Sequence, residues 1–176
     1  MESVRSRRYN RNGFVMDDSY YDVAQICLNG HIINQSSATL PVSNRKHCSI
    51  CGAETITQCE ACRKPIKGYH WVPGVIGFGS LDKAPAFCDQ CGKPYAWTEA
   101  RLDAARDLAD QLDLDIPERV LLEKSIEDIV KDTPRAPAAA IRFKGVVAKS
   151  KPWALGAFKE ILYSAVSETV RKSIWP

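Results

Sequence analysis

The stretch HCSICGAETITQCEACRKP, residues 47–65, contains four cysteines arranged as two Cys-x-x-Cys pairs. Two thiolates at this spacing can bend around one metal ion, with each sulfur about 2.3 Å from it. The surrounding sequence has few large apolar side chains, so a fold built on it needs a crosslink for stability. The pairs therefore predict a small metal-stabilised fold, whose architecture depends on which other ligands complete each site.

The other cysteines and one histidine can supply those ligands. Cys88 and Cys91 form a third pair, and Cys27 stands four residues before His31. Gly30 between these last two permits a tight turn that returns the imidazole to the thiolate. The sequence predicts eight metal ligands, enough for two tetrahedral sites with no cysteine left over: Cys27, His31, Cys48, Cys51, Cys59, Cys62, Cys88 and Cys91.

These ligands form four half-sites in chain order, Cys27 with His31 and then the three cysteine pairs. A sequential pairing joins the first with the second and the third with the fourth. A cross-braced pairing joins the first with the third, and a compact pairing joins the second with the third. We favour the sequential pairing, because each half then has the turns and strand-like segments of a zinc ribbon, as in HIINQ (31–35) and AETITQ (53–58).

Zinc is the metal that these ligands favour. Seven cysteines is an odd number that disulfide pairing fits poorly, and the N-terminus lacks the apolar region of a secretory signal. We therefore expect a cytoplasmic protein, in which disulfides are rare. Sulfur ligands with one imidazole favour zinc over calcium or magnesium. The prediction is two zinc ions per chain.

The 176 residues predict an α+β protein in three parts. Residues 1–18 are predicted to be a disordered basic tail, because they combine several arginines with few apolar residues. Residues 19–97 contain every cysteine and form the predicted double zinc-ribbon domain of short strands. Residues 98–176 show helical apolar periodicity and form the predicted domain of about four helices. The first is capped by Thr98, and the last follows Pro152 and ends at Ile174 and Trp175.

Three segments carry a family resemblance: YDVAQICLNGHIIN, HCSICGAETITQCEAC and FCDQCGKPYAWTE. They resemble an uncharacterised bacterial family, a domain of unknown function with a double zinc ribbon. The resemblance covers residues 20–100, and the helical C-terminus is similar to the segment after the ribbons in that family. It implies a bacterial origin and zinc ligands at the eight positions above, and it implies no activity.

The ligand count favours a structural role for the metal over a catalytic one. A catalytic zinc keeps one coordination position for water, whereas both predicted sites close with four protein ligands. His47 adjoins Cys48, which makes the two a poor chelating pair, and His70 is interpreted as an ordinary polar side chain. No nucleophile elbow, phosphate loop or zinc-protease helix motif is present. We therefore expect no enzyme activity.

Two functions remain as hypotheses. The first is a non-enzymatic adaptor that binds a protein partner through the ribbons and the C-terminal helices. An apolar segment at residues 68–87 either packs on the helical half or forms an exposed patch that offers a partner site. The alternative is nucleic-acid binding, because Tyr69 and Trp71 lie near cations in sequence. These cations are Arg45, Lys46, Arg63, Lys64 and Lys67. The net charge of +3 favours neither function, and no apolar run is long enough to span a membrane.

Overall fold

The computed structural model describes residues 19–73 and 79–176. The predicted basic tail lies outside the described residues, as do Val75, Ile76 and Phe78 of the apolar segment. The chain divides into two compact units, one ending at Ala84 and the other beginning at Pro85. The predicted domain boundary after residue 97 stays a prediction.

The described part of the first unit, residues 19–73 and 79–84, contains five short strands. They are β1 (Tyr20–Val23), β2 (Gln25–Cys27), β3 (Ile32–Asn34), β4 (Thr55–Ile56) and β5 (Lys67–Trp71). Strands β1 and β5 pair antiparallel as a two-stranded ribbon, and β3-β2-β4 form a three-stranded antiparallel sheet. Strand β2 is the central strand of that sheet, and its Ile26 is fully buried. Cys27 ends this strand, so the sheet fixes the position of the first predicted ligand.

The carboxylate of Asp22 is buried in the first unit and accepts several hydrogen bonds. It accepts hydrogen bonds from the backbone N–H groups of Val23 and Ala38, at 2.6 and 3.1 Å, and from the hydroxyl of Thr39. Burial by itself would raise the pKa of Asp22, but these hydrogen bonds together outweigh it and hold the pKa below its ordinary value of 3.8. The ionised carboxylate therefore stabilises the folded state above pH 3.8, and this stabilisation is lost as the pH falls through the lowered pKa.

Asp22→Asn is expected to destabilise the first unit by about 1–3 kcal/mol at neutral pH. The asparagine amide keeps the shape but turns an NH₂ group toward donors that now lack an acceptor. The measurement is urea denaturation of the zinc-loaded protein, followed by amide exchange at Ala38. Thr39→Val is the control, because it removes a single hydrogen bond and should cost about 1 kcal/mol. Equal costs for the two variants would contradict this account of Asp22.

Strand β5 lies very close to the backbone at Gln35 and Ala24. The N–H of Tyr69 donates to the carbonyl of Gln35 at 2.7 Å, and the N–H of Ala24 donates to the carbonyl of Ile66 at 2.8 Å. A Cβ atom on Gly68 would lie 2.1 Å from the carbonyl oxygen of Gln35. Only glycine fits such an approach, so Gly68 allows the β1–β5 ribbon to be fixed to the rest of this unit.

The second unit contains five helices around one apolar core. They are α1 (Ala96–Asp110), α2 (Ile116–Val130), α3 (Ala136–Lys149), α4 (Ala154–Leu162) and α5 (Glu168–Ile174). The Phe143 and Phe158 rings meet edge to face with centroids 5.1 Å apart, and both side chains are fully buried. Asp115 caps α2 by accepting a hydrogen bond from the N–H of Glu118 at 2.8 Å. The strands and helices confirm the predicted α+β class.

Two details of the predicted helices are wrong. The last predicted helix is divided into α4 and α5, because Ser167 adopts an extended backbone and its hydroxyl accepts from the N–H of Val170. Thr98 does not cap α1, which begins at Ala96. Its hydroxyl instead donates to the carbonyl of Ala86 at 2.8 Å. Among the described residues, no helix has the length and apolar character needed to cross a membrane.

Candidate metal centres

The first group of ligands lies at the end of β2 and in the hairpin that leads to β4. Cys27, His31, Cys48 and Cys51 each direct one ligand atom inward, and all four atoms lie within 4.8 Å of one another. In the turn from Cys27 to His31, the N–H of Cys27 donates to the carbonyl of His31 and the N–H of Gly30 donates to the carbonyl of Cys27. Gly30 has a φ of 85°. The predicted role of this glycine is confirmed, because the left-handed conformation returns the imidazole to the sulfur.

The interatomic distances of this group fit a tetrahedral zinc ion. With zinc–sulfur bonds of about 2.3 Å and zinc–nitrogen bonds of about 2.0 Å, tetrahedral geometry requires sulfurs about 3.8 Å apart and sulfur–nitrogen separations of about 3.5 Å. The sulfurs of Cys27 and Cys51 are 3.8 Å apart. The Nδ1 atom of His31 lies 3.4 Å from the sulfur of Cys27 and 3.6 Å from that of Cys48. These three separations match those of a tetrahedral site, and the others lie within 4.8 Å.

The second group consists of Cys59, Cys62, Cys88 and Cys91, and their four sulfurs also lie within 4.8 Å of one another. The two groups together use all seven cysteines of the chain. The grouping is the sequential pairing that the sequence favours, and the cross-braced and compact alternatives do not occur. Both groups could hold a metal ion with four protein ligands each.

The three Cys-x-x-Cys pairs share one backbone turn. In each, the N–H of the first cysteine donates to the carbonyl five residues on, and its own carbonyl accepts from the N–H four residues on, all at 2.8 Å. A β-bridge also joins the residue before each first cysteine to the residue seven positions later, as between His47 and Glu54. This common geometry sets both sulfurs of a pair toward one point, which is the physical reason for the spacing.

The residue after the second cysteine is a glycine in two of the three turns and an arginine in the third. Gly52 and Gly92 have φ values of 72° and 70°, and Arg63 takes the same position in the middle pair with a φ of 61°. A left-handed conformation costs a residue with a side chain about 1–2 kcal/mol. Its presence at Arg63 indicates that the backbone hydrogen bonds of the turn, from Cys59 to Lys64 and from Arg63 to Cys59, outweigh this preference.

Backbone N–H groups also contact the sulfurs, a feature that sequence analysis missed. The N–H of His31 lies 3.2 Å from the sulfur of Cys27, and the N–H of Ile50 lies 3.4 Å from that of Cys48. A hydrogen bond from the N–H of Ala53 lowers the pKa of Cys51 to about 6, whereas burial raises that of Cys27. Such donors stabilise thiolates, the form of cysteine that binds metal.

The other histidines lie outside both groups. His47 is exposed, and its backbone forms a bridge with Glu54. His70 stacks on Tyr21 with ring centroids 4.3 Å apart. Tyr95 and Trp97, which follow the last cysteine pair, are buried and stacked, and the indole of Trp97 donates to the carbonyl of Pro85 at 2.8 Å.

Comparison with known proteins identifies the family of the chain. No curated protein and no solved structure matches it. One family model, described as "Uncharacterized protein conserved in bacteria (DUF2321)", matches residues 20–174. This range contains both ligand groups and all five helices, so it extends the resemblance seen in the sequence. The chain therefore belongs to this bacterial family.

Proposed function

We propose that the protein is a non-enzymatic adaptor in which two zinc ions have a structural role. The observation that carries the proposal is that each ligand group supplies four protein ligand atoms within 4.8 Å. A catalytic zinc has three protein ligands and a water. Four protein ligands leave no coordination position for a substrate, which supports a structural metal and a function in binding.

Exposed apolar side chains on the helices support a protein partner. Ile116 and Val120 are 80% and 58% exposed and lie one turn apart on α2, on the same face. Ile141 on α3 is 72% exposed. Apolar side chains this exposed do not contribute to the core, and their burial against a partner would stabilise the complex. A cytoplasmic location agrees with this proposal, because a reducing compartment keeps thiols available for metal.

We expect the purified protein to contain two zinc ions per chain, measured by elemental analysis. When cobalt replaces the zinc, the visible spectrum should have the intense bands of tetrahedral cobalt–thiolate sites. Added azide should leave that spectrum unchanged, because neither metal has a position for an external ligand. A metal content below two, or a spectrum that azide alters, would contradict the structural role.

The adaptor function is tested by capture from lysate of the source bacterium, with and without nuclease. A double variant, Ile116→Ser with Val120→Ser, should lose a protein partner that the wild type retains in both conditions. Lys172→Ala, an exposed change on α5, is the control and should retain it. If both variants captured the partner equally, the partner would not bind this face of α2.

A further inference from the structure

The side of α3 that points away from the core carries no charged residue along its centre. Phe143 on the inner side is fully buried, and residues three and four positions apart share one side of a helix. Four exposed residues at this spacing form the outer face of α3, namely Ala138, Ile141, Gly145 and Ala148. Ile141 is the largest of them and is 72% exposed. This apolar line therefore lies on the surface of the helical unit.

Cationic side chains border the outer face on both of its sides. At about 3.6 residues per turn, Lys144 lies on one side of this face, and Arg142 and Lys149 lie on the other. No acidic residue occurs in α3, and residues 133–159 contain six Lys and Arg without a single Asp or Glu. The segment after α3 adds an exposed tryptophan, Trp153. The outer face thus combines apolar side chains with positive charge alone.

The carboxylates on the neighbouring helices form no ion pair with the two lysines. Helix α3 packs on α2, α4 and α5. Asp128 of α2 pairs with Arg142 at 3.4 Å, and Glu168 pairs within its own helix α5 at 2.6 Å. Within the described residues, no carboxylate pairs with Lys144 or Lys149. The other acidic residues of these three helices are Glu118, Glu123, Glu127 and Glu160. The two lysines are therefore available to an external anion.

We propose that the outer face of α3 binds the surface of an anionic lipid membrane, with the helix lying in the plane of the headgroups. Lys144 and Lys149 then meet the lipid phosphates, and Ile141 reaches the boundary of the acyl chains. The cations are spread along a helix about 21 Å long and do not converge on one point. A layer of mobile headgroups meets such a row at any spacing, and each lysine or arginine near it adds to the attraction.

The apolar line between the cations favours lipid over other anionic partners. Nucleic acid offers phosphates but no apolar layer for Ile141. An acidic protein surface needs carboxylates at matching positions, whereas lipid supplies both negative charge and apolar chains without a fixed geometry.

The charge of the helical unit also favours one orientation at such a surface. Residues 97–134 have 5 Lys and Arg against 11 Asp and Glu, a net charge of −6. Residues 135–176 have 8 against 2, a net charge of +6. An anionic surface therefore attracts the part of the unit that contains α3 and repels the part that contains α1 and α2.

The test uses the zinc-loaded full chain and sedimentation with vesicles of phosphatidylcholine alone, or of phosphatidylcholine with an equal part of phosphatidylglycerol. The chain should bind the anionic vesicles and not the neutral ones, and added salt should weaken the binding. Lys144→Glu combined with Lys149→Glu should weaken it about thirtyfold or more. The matched control is Lys64→Glu combined with Lys83→Glu, because both lysines are exposed in the first unit and the net charge changes equally. It should leave the binding nearly unchanged.

A further variant separates lipid binding from attraction by charge alone. Ile141→Ser should weaken binding to the anionic vesicles about tenfold, because it removes the side chain that enters the apolar layer. A face that binds any polyanion predicts no loss in this variant, and a face for an acidic protein predicts no vesicle binding. Either result would overturn the proposal, as would equal binding to both kinds of vesicle or an equal loss in the control pair.

Zinc content and circular dichroism establish that every variant is folded. The inference goes beyond the adaptor function, whose own test concerns Ile116 and Val120 on α2. Absent vesicle binding would therefore overturn the membrane surface and leave the adaptor proposal to its own test.

Discussion

Cys48→Ser is expected to reduce the bound zinc from two ions to one per chain and to unfold the β3-β2-β4 sheet. The sheet has strands of two or three residues, too short to be stable alone. Structural zinc contributes about 10–16 kcal/mol to folding in small zinc domains. Loss of a ligand should therefore destabilise the sheet by more than about 5 kcal/mol, a cost that few single substitutions reach. Elemental analysis and hydrogen exchange at Ile26 measure the two effects.

His47→Ala is the matched control for this prediction. The histidine adjoins Cys48 in sequence but is exposed and lies outside both ligand groups. It should therefore keep both zinc ions and normal exchange at Ile26. If Cys48→Ser retained two ions and full amide protection, Cys48 would not be a ligand.

Double variants test which half-sites share an ion. With the sequential grouping, His31→Ala combined with Cys48→Ser removes two ligands of one ion and should leave the other bound. Cys48→Ser combined with Cys59→Ser removes a ligand from each group and should leave none. A compact pairing predicts one ion for that second combination, and a cross-braced pairing predicts none for the first. The ion counts therefore separate the three arrangements.

The ligand groups could be predicted because their geometry is local. A Cys-x-x-Cys turn closes through backbone hydrogen bonds within six residues, so spacing alone identifies a half-site. The pairing of half-sites is not local, and the sequence could only favour one of three alternatives. A glycine after the second cysteine accompanies only two of the three turns. The middle turn has the same left-handed conformation at Arg63, so this glycine is not a necessary signal for the turn.

The presence of helices in the second unit could also be predicted, whereas the break between α4 and α5 could not. Apolar periodicity continues through residues 154–174, because both α4 and α5 bury side chains in one core. Ser167 interrupts this run by capping α5, but it lacks the glutamate or glutamine three residues later that would mark a capping box, because Val170 stands there. The β1–β5 ribbon depends on the register between two strands that lie more than 40 residues apart in sequence. Residue types alone do not determine such a register.

Gly68→Ala is expected to destabilise the first unit by about 3 kcal/mol or more. The added Cβ would lie 2.1 Å from the carbonyl oxygen of Gln35 and 2.8 Å from the backbone nitrogen of Ala24. Both are backbone atoms, so no rotation of a flexible side chain can relieve the overlap. The strands must separate instead, which breaks the hydrogen bonds from Tyr69 to Gln35 and from Ala24 to Ile66. Hydrogen exchange at the amides of Ala24 and Tyr69 measures this opening directly.

Two other glycines separate this steric effect from the general consequences of replacing glycine. Gly52 has a φ of 72° with no atom within 4 Å of an added Cβ, so Gly52→Ala should cost about 1 kcal/mol through backbone strain alone. Gly145 lies exposed in α3 with equally open space, and Gly145→Ala should stabilise that helix by about 0.5–1 kcal/mol. If Gly68→Ala behaved like Gly52→Ala, the approach of β5 to Gln35 would be adjustable. A much larger loss, with exchange accelerated at Ala24 and Tyr69 and both zinc ions retained, would mean that contact between the two backbones fixes the ribbon independently of the metal.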